Sequence, residues 1–177
     1  MTDKTAMNSA SVKRTILRIV NEILERNNGA SDIVIIGVRT RGVHIAERIA
    51  SAIEKLEGIR PPLGTLDITL YRDDLRQKTE WPKVKRTEIP FSVEDKKVIL
   101  VDDVLYTGRT TRAAIEAIMD FGRPSAIQLA ALIDRGHREL PIQPDYIGHK
   151  IETARTQEVR VLLKETDGKD EVLLVQD

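Results

Sequence analysis

The stretch Lys97-Val-Ile-Leu-Val-Asp-Asp-Val-Leu-Tyr-Thr-Gly-Arg-Thr-Thr111 decides how this chain folds. Its first five residues, 97–101, make a strand of the kind buried on both faces. A turn over 102–108 follows, then a helical pattern over 109–121 that Gly122 can end. A second apolar strand, 126–133, comes at once. Strand, helix and strand in that order, with both strands of the buried type, imply a right-handed parallel crossover. In such a sheet, ligands bind beyond the carboxyl ends of the strands.

The flanking segments extend this unit. Asp32-Ile-Val-Ile-Ile-Gly-Val38 reads as another fully buried strand, and the loop Arg39-Thr-Arg-Gly42 leads into a helix over 43–56. Val12, Ile16, Ile19, Val20, Ile23 and Leu24 recur at helical spacing, with Ser9 or Ser11 as cap and Gly29 as stop. Residues 66–71 alternate like a strand with one wetter face, and residues 72–90 carry dense charge without a period. Past 133, residues 134–157 are irregular and polar, and strands at 159–163 and 171–175 join through Thr-Asp-Gly-Lys as a hairpin. The expected fold is α/β: an open, twisted, mostly parallel sheet flanked by helices. One domain would cover 11–177, with a flexible lid loop at about 72–90 and a small hood at about 134–157, behind a disordered or extended tail at 1–10.

Composition narrows the function. The 177 residues suit one domain with a real core. With 28 Lys+Arg against 28 Asp+Glu the net charge is zero, which excludes a generally basic nucleic-acid coat but not a local patch. There is no cysteine, so disulfides, thiolate metal sites and cysteine nucleophiles are out. That, with no apolar leader, reads as cytoplasmic, and no run of the sequence is long enough to span a membrane. His44, His137 and His149 lack the spacing of a zinc site. Neither Walker A nor Gly-x-Gly-x-x-Gly occurs, which removes the main support for an NTPase or a dinucleotide enzyme.

The chemistry gathers at the strand end Asp102-Asp103. The turn that follows, Thr107-Gly-Arg-Thr-Thr111, offers backbone N–H groups, hydroxyls and the positive end of a helix dipole, and together these make a phosphate cradle. Gly108 lets the backbone approach the phosphate. The adjacent carboxylates suit sugar hydroxyls or a hydrated Mg²⁺. Acids for a sugar and a nest for its phosphate describe a phosphorylated ribose. Loop capping alone requires neither the acid pair nor the threonine-rich turn.

The run Val98-Ile-Leu-Val-Asp-Asp-Val-Leu-Tyr-Thr-Gly-Arg-Thr-Thr111 resembles the phosphoribosyl-pyrophosphate (PRPP) motif of type I phosphoribosyltransferases. Three further segments, Asp67-Ile-Thr-Leu-Tyr-Arg-Asp-Asp-Leu75, Asp134-Arg-Gly-His-Arg-Glu-Leu-Pro141 and Asp145-Tyr-Ile-Gly148, resemble the PyrR family. Members of that family are bifunctional pyrimidine-operon regulators and uracil phosphoribosyltransferases. The resemblance covers roughly residues 12–176.

It implies conversion of uracil and PRPP to UMP and pyrophosphate, with Mg²⁺ bound through PRPP near Asp102 and Asp103. These two acids would hold the ribose hydroxyls and steady the developing oxocarbenium charge. The PRPP and UMP contacts would run through Val104, Leu105, Tyr106, Thr107, Gly108, Arg109, Thr110 and Thr111. Arg39, Thr40, Arg41 and Gly42 would form the pyrophosphate loop, with Arg41 catalytic and a cis bond at Arg39–Thr40. Arg72 and Arg86 would act from the lid, and Lys78, Lys83 and Lys85 add charge there. Arg135 and the main chain of Val159 would meet the base, while His137 would brace the hood or touch a partner. Purine relatives carry a carboxylate where Tyr106 stands, so a purine phosphoribosyltransferase is the less favoured alternative. A homodimer or higher homo-oligomer is implied as well.

The resemblance also implies UMP or UTP sensing and a pyr leader mRNA as partner. Arg14, Arg18, Asn21 and Glu25 share one polar face of the first helix, and Arg14 and Arg18 with Arg138, Lys150 and Arg155 make a candidate RNA patch across a dimer. Messenger-binding relatives place a Thr and a His where Leu17 and Asn21 stand. Leu17 cannot donate to a phosphate, so the expectation is a retained enzyme with weak or retuned RNA binding. An RNA-binding attenuator with residual activity is the remaining alternative.

Overall fold

The computed structural model describes residues 3–73 and 86–175. Five parallel strands form the main sheet in the order β3-β2-β4-β5-β6: β2 (Ile33–Val38), β3 (Leu63–Leu66), β4 (Lys97–Leu105), β5 (Ala126–Asp134) and β6 (Tyr146–Lys150). A smaller antiparallel sheet, β1-β8-β7, joins β1 (Lys4–Met7), β8 (Glu171–Val175) and β7 (Glu158–Leu162). Helices α1 (Ser9–Asn27) and α2 (Arg41–Glu57) cover one face of the main sheet, and α3 (Arg109–Met119) covers the other.

The period of the central strands explains the layering. Ile33 and Ile35 of β2 pack with Ile16, Ile19, Ile45 and Ile49 under α1 and α2. Their neighbours Val34 and Ile36 pack with Ala113, Ala117 and Ile118 of α3. Both faces are therefore apolar, as a parallel sheet requires. Met7, Val159, Val161 and Val172 bring the small sheet into the core under α1 and α2. Among the described residues, no helix is long and apolar enough to cross a membrane.

Several expectations need correction. Of the two states expected for the tail, its described part takes the extended one, but α1 starts earlier than residue 11: Lys4, Thr5 and Met7 pair with β8, and Asn8 caps α1 (Ser9–Asn27) by accepting the Ser11 N–H at 2.9 Å. The strand expected at 66–71 lies earlier, at Leu63–Leu66. The Asp67 carboxylate accepts the Thr69 N–H at 2.9 Å and the Thr69 hydroxyl, and this turn diverts the chain into a 3-10 turn at Thr69–Tyr71. β4 does not stop at Val101, because Val104 and Leu105 still pair with Ile133 and Asp134. The hood is partly sheet, since Tyr146–Lys150 adds to β5 as the fifth strand. The hairpin turn contains one helical turn, α4 (Lys164–Asp167).

Candidate active site

The phosphate turn forms where β4 passes into α3. Gly108 stands at φ 90° and has no side chain to cap the helix; the Thr107 hydroxyl accepts the Arg109 N–H only at a long 3.4 Å. A Cβ at 108 would also meet Ile142 Cβ at 3.3 Å, so both conformation and space favour glycine. The turn's carbonyls point away into the 136–142 segment. Thr107 O accepts the Glu139 N–H at 2.9 Å and the Leu140 N–H at 3.2 Å, and Tyr106 O accepts from Arg138 Nη1 at 2.9 Å. With its acceptors engaged, the turn presents the positive helix end to a cavity of about 310 Å³. Arg72, Asp102, Tyr106 and residues 107–111 line that cavity. Among the described residues, the buried Thr111 hydroxyl has no hydrogen-bond partner.

Asp102 is buried and lines the cavity, and its Oδ1 accepts the Asp103 N–H at 2.9 Å. Burial, then the neighbouring Asp103 charge, pushes the Asp102 carboxyl well above the usual range. Half-buried Asp103 stands beside it. A carboxyl pair that resists carrying two charges suits a cationic guest or sugar hydroxyls. Mg²⁺ arriving on PRPP fits this chemistry.

The loop over residues 39–42 reaches the same strand end. A Cβ at Gly42 would stand 2.6 Å from Val101 O and 3.2 Å from Asp102 Cα, so only glycine lets α2 start this close to β4. The Arg39–Thr40 peptide is cis, at the position expected. Arg39 turns to the loop edge, donating from Nε to Arg86 O at 3.0 Å and from Nη2 to Thr65 Oγ1 at 3.1 Å. Arg41 meets Asp167, with Nη2 to Oδ1 at 3.0 Å.

Beyond the end of β5, the Arg135 guanidinium carbon lies 4.0 Å from the Tyr106 ring centroid, and His137 meets the same ring edge-on at 5.9 Å. Arg135 is buried, donates from Nη2 to Ala154 O at 3.2 Å, and keeps its Nε unpartnered among the described residues. His137 Nε2 lies 2.6 Å from Thr153 O, a bracing contact. Val159 packs inward into the core, on the outer strand of the small sheet.

Other expected contacts divide. Arg109 lines the cavity and is paired there with Asp73 at 2.6 Å and Glu139 at 2.8 Å. Arg72 lines the cavity, whereas Arg86 is highly exposed and sits 3.7 Å from Glu88. Lys78, Lys83, Lys85 and most of the expected lid lie outside the described residues. Two of the residues expected in the RNA patch have partners within this chain. Arg138 is drawn into the site by Asp134 at 2.7 Å, and Arg18 is engaged by Glu22 and by the carbonyls of Ile147 and Gly148. Arg14, Lys150 and Arg155 remain exposed.

Sequence reasoning missed Asp134 and Asp167 as site residues, and it placed Arg138 in the RNA patch and not beside Asp134. Burial alone would raise the Asp134 carboxyl, but Arg138 and the Gly136 N–H outweigh it and hold the carboxyl below its ordinary value. Asp134 closes an apolar strand four residues before Arg138, a spacing that could have suggested the pair.

A parallel α/β sheet with an uncapped phosphate turn, buried acids and an arginine-bearing loop at its carboxyl edge defines a phosphoribosyltransferase. The phosphoribosyl transferase domain family matches residues 8–166. The bifunctional protein PyrR of Deinococcus radiodurans is 55% identical over 170 residues, covering 96% of this chain and 93% of that one. The PyrR of Chloroflexus aurantiacus is 53% identical over 174 residues, covering 98% and 96%. The chain belongs to the PyrR family of phosphoribosyl transferase domain proteins. A hypoxanthine phosphoribosyl transferase of Trypanosoma cruzi superposes with a TM-score of 0.74, covering 98% of this chain and 91% of that one. At 15% identity, that likeness concerns the fold alone.

Proposed function

We propose that this chain transfers ribosyl 5-phosphate to uracil by positional and electrostatic catalysis, with no covalent enzyme intermediate. The N–H groups and hydroxyls of residues 107–111 hold the 5′-phosphate. Asp102 and Asp103 hold the ribose hydroxyls and oppose the positive charge at C1′ while its bond to pyrophosphate breaks and its bond to uracil N1 forms, the N1 proton passing to the departing pyrophosphate or to solvent. Arg41, with the backbone of residues 39–42, receives the departing pyrophosphate. Bound Mg²⁺, carried in on PRPP, supplies further charge to that leaving group. Arg135 and Tyr106 form one wall of the base pocket, and the main chain of outer strand β7 at Val159 forms another.

The observation that carries this reading is the uncapped start of α3 facing a cavity that Asp102 also lines. The test is a crystal grown with phosphate or UMP. The anion is expected against the N–H groups of residues 107–111, and an anion bound only elsewhere would overturn the reading.

For regulation, we propose pyrimidine-nucleotide occupancy of the same pocket, coupled to an RNA surface reduced to Arg14, Lys150 and Arg155. We also propose a homodimer or higher homo-oligomer. The half-exposed Leu17 and the exposed Leu70 support that reading, and light scattering at micromolar concentration tests it.

A further inference from the structure

The connection between β7 and β8 carries a compact acidic turn that no step above uses. Arg41 and Arg48 stand seven residues apart on α2, about two turns. Each meets this turn. Arg48 forks onto Glu165 at 2.6 and 2.8 Å and onto Asp170 at 2.6 and 3.0 Å. Arg41 meets Asp167 side-on, with Nη2 to Oδ1 at 3.0 Å and Nε to Oδ2 at 3.4 Å. Arg48 is remote from the strand end and fastens the turn to the helix. Arg41 is not remote, because the next residue, Gly42, packs against Val101 O and Asp102 Cα.

We infer that Asp167 is a positioning residue for the transfer reaction: it orients the Arg41 guanidinium so that its remaining N–H groups point at the pyrophosphate of PRPP. The inference rests on the assignment of Arg41 to the leaving group made above.

Asp167 is built for the task. Its Oδ2 accepts the Leu163 N–H at 2.9 Å and the Thr166 hydroxyl at 2.7 Å, so the carboxylate is fixed before Arg41 arrives. Those two donors, with Arg41, hold its carboxyl down to about 2, so it keeps its charge throughout the neutral range. A side-on fork uses Nε and one Nη2 hydrogen. It leaves both Nη1 hydrogens and the second Nη2 hydrogen for a polyanion. A long arginine side chain otherwise loses rotamer entropy on binding, and a pre-placed one does not. The contribution is therefore to PRPP and pyrophosphate, and not to uracil or UMP.

The test is steady-state kinetics of UMP formation with Asp167→Asn, Thr166→Ala, Glu165→Gln and Arg41→Ala in the full-length protein. Inhibition by pyrophosphate and binding of UMP are measured alongside. For Asp167→Asn the expected result is an increase in KM for PRPP and in the pyrophosphate inhibition constant of about tenfold, the scale of one charge-assisted contact. KM for uracil and the affinity for UMP should stay within about twofold, since UMP carries no pyrophosphate. Thr166→Ala loosens the carboxylate without touching Arg41 and should move the same two constants in the same direction, by less. Glu165→Gln loosens only the Arg48 anchor and should leave both unchanged.

If Arg41→Ala weakens pyrophosphate binding while Asp167→Asn does not, the positioning role is wrong and the assignment of Arg41 stands. If Arg41→Ala changes neither constant, the assignment itself fails. Tighter pyrophosphate binding in Asp167→Asn would make Asp167 a competitor of the ligand and overturn the inference. So would an equal loss of UMP affinity, which would mark the turn as a purely structural support.

Discussion

The Arg135 guanidinium lies over the Tyr106 ring, 4.0 Å from its centroid, although the two residues come from different strand ends. Tyr106 follows β4 and Arg135 follows β5, whose last residues pair, so the sheet register itself brings them together. Stacking orients the guanidinium in plane, and its buried Nε lacks a partner among the described residues. A pyrimidine carbonyl is the acceptor we assign to this group. Arg135→Ala should raise KM for uracil by about tenfold or more, the cost of one charged hydrogen bond, and leave KM for PRPP nearly unchanged. Initial rates with each substrate varied in turn decide the point.

Asp103→Asn preserves shape and removes charge beside the reacting carbon. We expect kcat to fall by at least about a hundredfold, the scale for one preorganised electrostatic group. The thermal midpoint should stay close to that of the parent. Normal turnover in this variant would assign the acid pair a purely structural role.

Gly108→Ala tests the phosphate turn. The new methyl group must adopt φ near 90° and stand 3.3 Å from Ile142 Cβ. A stability loss of about 1–3 kcal/mol is expected from the backbone conformation, read by chemical denaturation. Phosphate protection of the folded state should vanish with it, as measured by the midpoint shift on adding phosphate.

The Asp134–Arg138 pair predicts a pH dependence. The folded Asp134 carboxyl is held below its unfolded value, so its contribution is present above that unfolded value and is lost as pH falls through the lower folded one. Arg138→Met removes the partner and leaves a buried carboxylate. The stability gap between parent and variant should be small at the lowest pH, widen as pH rises through about 4, the unfolded carboxyl range, and go on widening until the unpaired buried carboxyl of the variant has ionised. Thermal melts from pH 7 down to 3 measure this.

RNA binding is expected to be weak or to favour a different sequence, because Arg18 and Arg138 are engaged within the protein and Leu17 offers no donor. A gel shift with a pyrimidine-operon leader hairpin at physiological salt should show no nanomolar complex, with or without UMP. Nanomolar, UMP-stimulated binding that Arg14→Ala abolishes would overturn this expectation.

The core of this protein could be read from its sequence because the deciding contacts are local. The β4 strand, the Thr107–Thr111 cradle and the start of α3 lie within fifteen residues, so apolar runs, turn residues and helical period all appear in one window. The apolar runs of 32–38 and 126–133 likewise announced strands buried on both faces. The fifth strand and the N-terminal strand left no such mark. In Lys4–Met7 only Met7 is buried, and the segment is a strand because its backbone hydrogen-bonds β8, some 165 residues away. Ring and guanidinium at 106 and 135, carboxylate and guanidinium at 134 and 138, and Arg41 with Asp167 across 126 positions were likewise decided by tertiary structure. A charged side chain carries no period that names its partner. Arg138 and Arg18 read as candidate RNA contacts until the folded chain showed which carboxylate or carbonyl each one faces.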